Sequence, residues 1–176
     1  MSVKATFLDR DGVLVASRVV EGKPFSARTV DELELLPGAE TACALLRDHG
    51  FELIVVTNQP EVSRGTLDPQ VVAAMNSWLC DQLSLDLVMV CPHDDADGCN
   101  CRKPLPGMLL DAEQDRNVDL AQSVMVGDRW RDIAAGIAAG THTVFVDHGY
   151  DERQPEAMDA TVHTVLEAAQ WITQNL

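Results

Sequence analysis

Apolar positions along the chain fall into two alternating kinds of stretch. Short and nearly continuous apolar runs occur at "KATFLD" (4 to 9), "FELIVVTN" (51 to 58), "LDLVMVC" (85 to 91), "SVMVGD" (123 to 128) and "HTVFVD" (142 to 147). They lack a polar residue at every second position, which predicts strands covered on both faces, as in a parallel sheet. Between them, "GAETACALLRDHG" (38 to 50), "DPQVVAAMNSWLCDQL" (68 to 83), "PGMLLDAEQDRN" (106 to 117), "RWRDIAAGIAAG" (129 to 140) and "VHTVLEAAQWITQN" (162 to 175) repeat apolar residues at helical spacing, with Gly50 and Gly140 as stops. No repeat, low-complexity tract or Pro/Gly/Ser linker divides the series. The expectation is one doubly wound α/β domain over 1–176, built on a parallel sheet.

Ligands of such sheets bind outside the carboxyl ends of the strands. The residues expected there are Asp9 and Asp11, then Thr57 with Asn58 and Gln59, then Cys91, Asp128 and Asp147. Asp9 and Asp11 leave a strand one residue apart and enter a turn at Gly12, so one carboxylate can face a metal or phosphorus while the other faces a second ligand atom. A calcium loop also begins D-x-D-G, but position 12 of that loop would need a glutamate and is Val20 here. Thr57 suits either a phosphate oxygen or an ordinary turn. Asp128 and Asp132 suit either a metal or a helix N-terminus.

Charge narrows the ligand. Against 13 Lys and Arg stand 28 Asp and Glu, a formal net charge of -15. Such a surface repels a phosphodiester backbone, so no nucleic acid partner is expected. A phosphorylated small molecule would have to be drawn in by a few local cations or a metal. No run approaches the ~20 apolar residues of a membrane helix, so no membrane partner is expected. No secretory signal opens "MSVKATFLDRDGV", and a cytoplasmic home with reduced thiols is the expectation.

Four soft ligands crowd one short stretch. In "CPHDDADGCNCRKP" (91 to 104), Cys91, His93, Cys99 and Cys101 offer three sulfurs and a nitrogen, a closed tetrahedral set for a structural Zn²⁺. Arg102 and Lys103 follow the last ligand, so a zinc there would aim both toward the strand ends. Cys43 and Cys80 lie in helical stretches and read as core thiols, Trp78 and Trp171 as packing residues, and His49 as a helix C-terminus.

Taken in order, "FLDRDGV", "VVTNQ", "CRKP" and "VGDRWRD" resemble the four motifs of the haloacid dehalogenase (HAD) superfamily of phosphatases. "TNQPEVSRG" and "CPHDDADGCNCRKPLPGML" are similar to one branch of it, the heptose bisphosphate phosphatases, whose nearest relatives are the histidinol-phosphate phosphatases. The resemblance implies that Asp9 is a nucleophile forming an aspartyl phosphate and that Asp11 is the general acid and then base. It implies Mg²⁺ held by Asp9, the main chain of Asp11 and Asp128, with Asp132 behind. Thr57 and Lys103 would bind the transferring phosphoryl group. Asn58, Gln59, Arg64, Arg102 and Arg129 would surround the rest of the substrate, implied to be a heptose 1,7-bisphosphate losing its 7-phosphate; histidinol phosphate or another small sugar phosphate is the alternative. A receiver-like phosphoacceptor domain shares an acidic pair, a Thr and a Lys, but its phosphorylated Asp ends a middle strand and it lacks the D-x-D-G turn. With 45 residues between Asp11 and Thr57, the loop 14–33 is too short for a cap domain, so specificity is expected to come from loops, in a chain expected to act as a monomer. Two departures stand out: Pro60 and Glu61 follow "TNQ" where that branch has a small residue and Gly, and its His-Gly-Tyr-like stretch is missing from "VASRVVEGKPF".

Overall fold

The five apolar runs form strands of one parallel sheet in the computed structural model, which describes residues 2–176. In chain order the strands are β1 (Lys4–Leu8), β2 (Arg18–Val20), β3 (Lys23–Phe25), β4 (Phe51–Asn58), β5 (Leu87–Cys91), β6 (Val124–Gly127), β7 (His142–Val146) and β8 (Ala160–Val162). The helices are α1 (Ala39–Asp48), α2 (Pro69–Leu83), α3 (Gly107–Arg116), α4 (Trp130–Ala139) and α5 (Val165–Asn175). The main sheet runs β5-β4-β1-β6-β7-β8, with every pairing parallel.

The missing alternation has a packing cause. Leu8, Leu53, Val55, Val124 and Val126 face one core with Ala42, Cys43 and Leu46 of α1 and Ala168, Ala169 and Ile172 of α5. Their strand neighbours Ala5, Phe7, Ile54, Val56 and Met125 face a second core with Met108, Leu109 and Ala112 of α3. Each central strand is buried from above and below, so polar residues are excluded from both of its faces. Cutting a side chain such as Phe7 back to Ala would cost about 3–5 kcal/mol.

Two of the helices, α2 and α5, begin where a short polar side chain serves as a cap. The Asp68 carboxylate accepts from the Gln70 amide with Pro69 at the first helical position, and Thr164 Oγ1 accepts from the Glu167 amide at 3.1 Å. The second cap corrects the last predicted element. Residues 160–162 pair with β7 as an edge strand, and α5 starts only at Val165. The loop 14–33 also holds more order than expected: β2 and β3 form a hairpin turned by Glu21 (φ 49°) and Gly22 (φ 75°), the left-handed pair that a two-residue hairpin needs. Cys43 is a core thiol as expected, whereas Cys80 is only partly buried. His49 closes α1, its Nδ1 2.8 Å from the Leu45 carbonyl oxygen. Trp78 and Trp171 pack against the first core.

From β1 the chain builds outward through β4 and β5, then crosses back to β6 on the other flank. The carboxyl end of β1 is therefore the switch point of the sheet, where a doubly wound fold leaves its crevice. Among the described residues no helix is long and apolar enough to cross a membrane.

Candidate active site

Asp9 follows β1 directly, and its amide still donates to the Val126 carbonyl (3.0 Å), so its carboxylate is fixed at the centre of the sheet. The chain then turns sharply through Gly12 at φ 85°. A Cβ on Gly12 would lie 1.9 Å from Asp128 Oδ2, and one on Gly127 would lie 2.0 Å from the Asp132 Cβ. Glycine at these two positions lets the backbone close around two carboxylates.

Asp9, Asp128 and Asp132 are all buried and bring carboxylate oxygens within 4.8 Å of one another. Against them stands Lys103, itself buried, with Nζ 2.9 Å from Asp9 Oδ1, 2.6 Å from Asp132 Oδ1 and 2.7 Å from the Val56 carbonyl oxygen. Burial works against the ammonium, but Asp132 and Asp9 outweigh it and hold Lys103 above its ordinary pKa. Asp132 is pushed up to about 6 by burial and by Asp9, with Lys103 opposing. Asp128 is raised furthest, by burial and then by Asp9 and Asp132. Both of its oxygens are buried with no well-formed hydrogen bond among the described residues, the Tyr150 hydroxyl being the neighbouring donor that eases the charge. Burying an ion costs several kcal/mol, and three buried carboxylates with one ammonium leave a negative pocket of hard oxygen donors. That donor set fits a Mg²⁺ ion.

The end of β4 secures the opposing side. Asn58 clasps the backbone of Lys103 twice, donating from Nδ2 to its carbonyl (3.0 Å) and accepting its amide on Oδ1 (3.1 Å). Gln59 is buried, and its Nε2 donates to both Thr57 Oγ1 and Asp11 Oδ2 at 3.0 Å. Thr57 and Asn58 line an open cleft together with Asp9, Asp11, Lys103, Asp128 and Asp132. Its outer wall is Pro24, Phe25 and Ser26, carried by the β2–β3 hairpin and the residue after it.

The arginines separate into groups. Arg129 lines the cleft and is forked onto Glu152 at 2.7 and 2.6 Å, which raises its pKa. Arg64 and Arg102 do not line it. Arg64 makes a two-point pair with Asp94 (2.5 and 3.0 Å) that lowers this acid to about 2. Arg102 donates to Asp95 (2.7 Å) and to the His93 carbonyl (3.2 Å). Gln59 also stays behind the cleft wall. Arg131 does line it, resting over the Trp130 ring at 4.8 Å and 3.4 Å from Asp95. Arg131 and Ser26 were not singled out from the sequence. The helical start at "RWRD" was the available signal for Arg131, since residues 129, 131 and 132 share the first turn that ends on the cleft.

Beside the cleft, Cys91, His93, Cys99 and Cys101 converge. Cys101 Sγ lies 3.0 Å from Cys91 Sγ, 3.6 Å from Cys99 Sγ and 3.3 Å from His93 Nδ1, and Cys91 Sγ lies 3.7 Å from both Cys99 Sγ and His93 Nδ1. A tetrahedral zinc with bonds of about 2.3 Å would space its sulfurs at roughly 3.8 Å, so the donors surround a space of that size. A disulfide sets sulfurs at about 2.05 Å and is not formed. The loop is stitched to the helix behind it: Gly107 at the start of α3 donates to the Asn100 carbonyl (3.2 Å), and a Cβ there would lie 2.2 Å from that oxygen.

Comparison with known proteins agrees with this geometry. The model of the HAD-hydrolase-like family matches residues 100–169. A D-glycero-beta-D-manno-heptose-1,7-bisphosphate 7-phosphatase of Yersinia pestis is 38% identical over 154 residues, covering 81% of this chain and 79% of its own. The protein of the same name from Escherichia coli (strain K12) is 34% identical over 187 aligned positions, covering 99% and 91%. Among solved structures, D,D-heptose 1.7-bisphosphate phosphatase from B. bronchiseptica, complexed with magnesium and phosphate, superposes with a TM-score of 0.84 at 31% identity, covering 98% of this chain and 99% of that one. The chain belongs to the HAD-like hydrolases. Within that family it is a phosphatase.

Proposed function

We propose that this phosphatase removes the 7-phosphate of D-glycero-D-manno-heptose 1,7-bisphosphate through an aspartyl-phosphate intermediate on Asp9. The observation that carries the chemistry is Asp128: a buried carboxylate with no ion pair of its own among the described residues, beside Asp9, suits a cation at the foot of a nucleophile. The substrate is supported by the two relatives that bear that activity in their names and match 81% and 99% of the chain.

In this reading the Asp9 carboxylate attacks phosphorus, the bond from phosphorus to the sugar oxygen breaks, and Asp11 gives its proton to that departing oxygen. Asp11 then takes a proton from a water as the water oxygen attacks the same phosphorus. The bond to Asp9 breaks, freeing inorganic phosphate and the carboxylate. Thr57 and Lys103 hold the phosphoryl oxygens in place. Mg²⁺, held by Asp9, Asp128 and the Asp11 main chain with Asp132 behind, would supply positive charge to the phosphoryl oxygens. Arg129 and Arg131 face the cleft and suit the second phosphate as planar forks. Arg64 and Arg102 would reach it only by releasing Asp94 and Asp95. Zn²⁺ in the Cys91, His93, Cys99 and Cys101 site would hold the loop that ends in Lys103. Cytoplasmic residence and action as a monomer complete the proposal.

The test is phosphate release from the heptose bisphosphate and from histidinol phosphate at equal enzyme concentration, with the remaining sugar monophosphate identified. A far higher kcat/KM on the bisphosphate, leaving the 1-phosphate, supports the assignment. An equal or reversed preference moves the chain to the histidinol phosphate reading.

A further inference from the structure

The polar contacts of the Asp11 carboxylate fall on one oxygen. Arg10 Nε (3.1 Å), Ser26 Oγ (3.1 Å) and Gln59 Nε2 (3.0 Å) donate to Oδ2, and Arg10 Nη2 lies 3.0 Å from the same oxygen without completing a hydrogen bond. Oδ1 is buried and has no partner among the described residues. Arg10 itself has no exposure at all, and its remaining arm, Nη1, donates to Oδ1 of Asn76 on α2 at 3.0 Å. A guanidinium is expensive to bury, and its spread of donors lets one side chain hold Asp11 Oδ2 through Nε while Nη1 reaches Asn76.

From this one-sided arrangement we propose that Arg10 is a positioning residue, which fixes the torsion of the Asp11 carboxylate by holding Oδ2 and so keeps the group in one orientation for proton exchange with the leaving oxygen and with water. A carboxyl group with a free torsion would present either oxygen and would face the leaving group only part of the time. Arg10 removes that freedom, with α2 behind it as a rigid stop through Asn76. Gln59 extends the lock to Thr57 Oγ1 (3.0 Å), so the proton donor and a phosphoryl-binding hydroxyl share one support. The inference rests on the role proposed above for Asp11.

The test compares two leaving groups. The sugar alkoxide needs a proton as it departs, whereas p-nitrophenolate does not. In Arg10→Lys the ammonium cannot contact both Asp11 and Asn76, so turnover of the heptose bisphosphate should fall by roughly 30-fold or more, within the range that general acids contribute. The pre-steady-state burst of p-nitrophenolate from p-nitrophenyl phosphate should change by less than about threefold, since forming the aspartyl phosphate from that substrate asks nothing of Asp11. Asn76→Leu, which keeps Arg10 but removes the acceptor behind it, should give the same selective loss on a smaller scale, and it decides the matter if Arg10→Lys does not fold. Equal losses on both substrates, or loss on neither, overturn the proposal. Asp11→Asn separates the two levels: if it turns over the bisphosphate normally, the role of Asp11 fails, whereas a dead Asp11→Asn beside a normal Arg10→Lys removes only the part assigned to Arg10.

Discussion

Asp128 shows at the residue scale how this site trades stability for chemistry. Its carboxylate is pushed well above the ordinary range by burial and by Asp9 and Asp132, so in the absence of metal its charged form destabilises the fold. Asp128→Asn should therefore raise the Tm of the metal-free protein by a few degrees while abolishing the extra stability that Mg²⁺ confers, read by thermal melts with and without the ion. A lower metal-free Tm would contradict this. Gly12→Ala acts in the opposite direction: a methyl 1.9 Å from Asp128 Oδ2 at a φ of 85° forces the turn or the carboxylate aside. The loss should be about 2 kcal/mol or more, measured by denaturant unfolding, together with most of the turnover. Asp9, Asp11, Thr57 and Asp128 were legible because each is a polar residue that closes an apolar run, a position that places it at the strand ends. Arg10 was not legible. A charged residue between two aspartates reads as solvated, and only the fold reveals Asn76 waiting 66 residues away. Arg64 and Arg102 were readable as cations beside the motifs, but the acids that hold them, Asp94 and Asp95, are partners that only the folded loop brings together.

Elements differ in how much core they command, and the loop from Cys91 to Lys103 commands little. It contributes Cys91 to the second core, and most of its other residues are exposed or partly exposed. Its order depends on the four-donor cluster, on the Arg64–Asp94 and Arg102–Asp95 pairs, and on Gly107 packing against Asn100. Exposed ion pairs of this kind contribute little, whereas structural zinc is worth on the order of 10 kcal/mol in small peptides. Cys99→Ser should then keep the far-ultraviolet circular dichroism of the sheet, lose zinc by metal analysis, and lose about tenfold or more in kcat because Lys103 is no longer aimed. Full turnover in a zinc-free variant would leave the cluster a stability device. Long strands and helices were readable because their periods persist over several residues. The β2–β3 hairpin and β8, at three residues each, are too short to establish a period. They depend on tertiary partners: β8 on β7, and the hairpin turn on the Asp151 amide, which donates to the Gly22 carbonyl (3.0 Å).

For the whole molecule, the decisive fact is that a chain of net charge -15 keeps Lys103 buried among three carboxylates at the switch point of its sheet. The general field repels a phosphorylated substrate, and local cations must overcome it. If both metals bind the folded state alone, a strong chelator should lower the Tm by roughly 5–10 °C, and Mg²⁺ added back alone should restore only part of it. Differential scanning calorimetry reads both. Full restoration by Mg²⁺ alone would mean that the cysteine cluster holds no stabilising zinc. In this mechanism Asp9 carries the phosphoryl group. This is tested most directly by quenching the enzyme within its first turnover of heptose bisphosphate, reducing the acyl phosphate with borohydride and sequencing the peptides by mass spectrometry. Homoserine should replace aspartate at position 9 and at no other acidic residue; unmodified Asp9 with the reduced residue elsewhere, or no acyl phosphate in an enzyme that is turning over, would rule out Asp9 as the nucleophile.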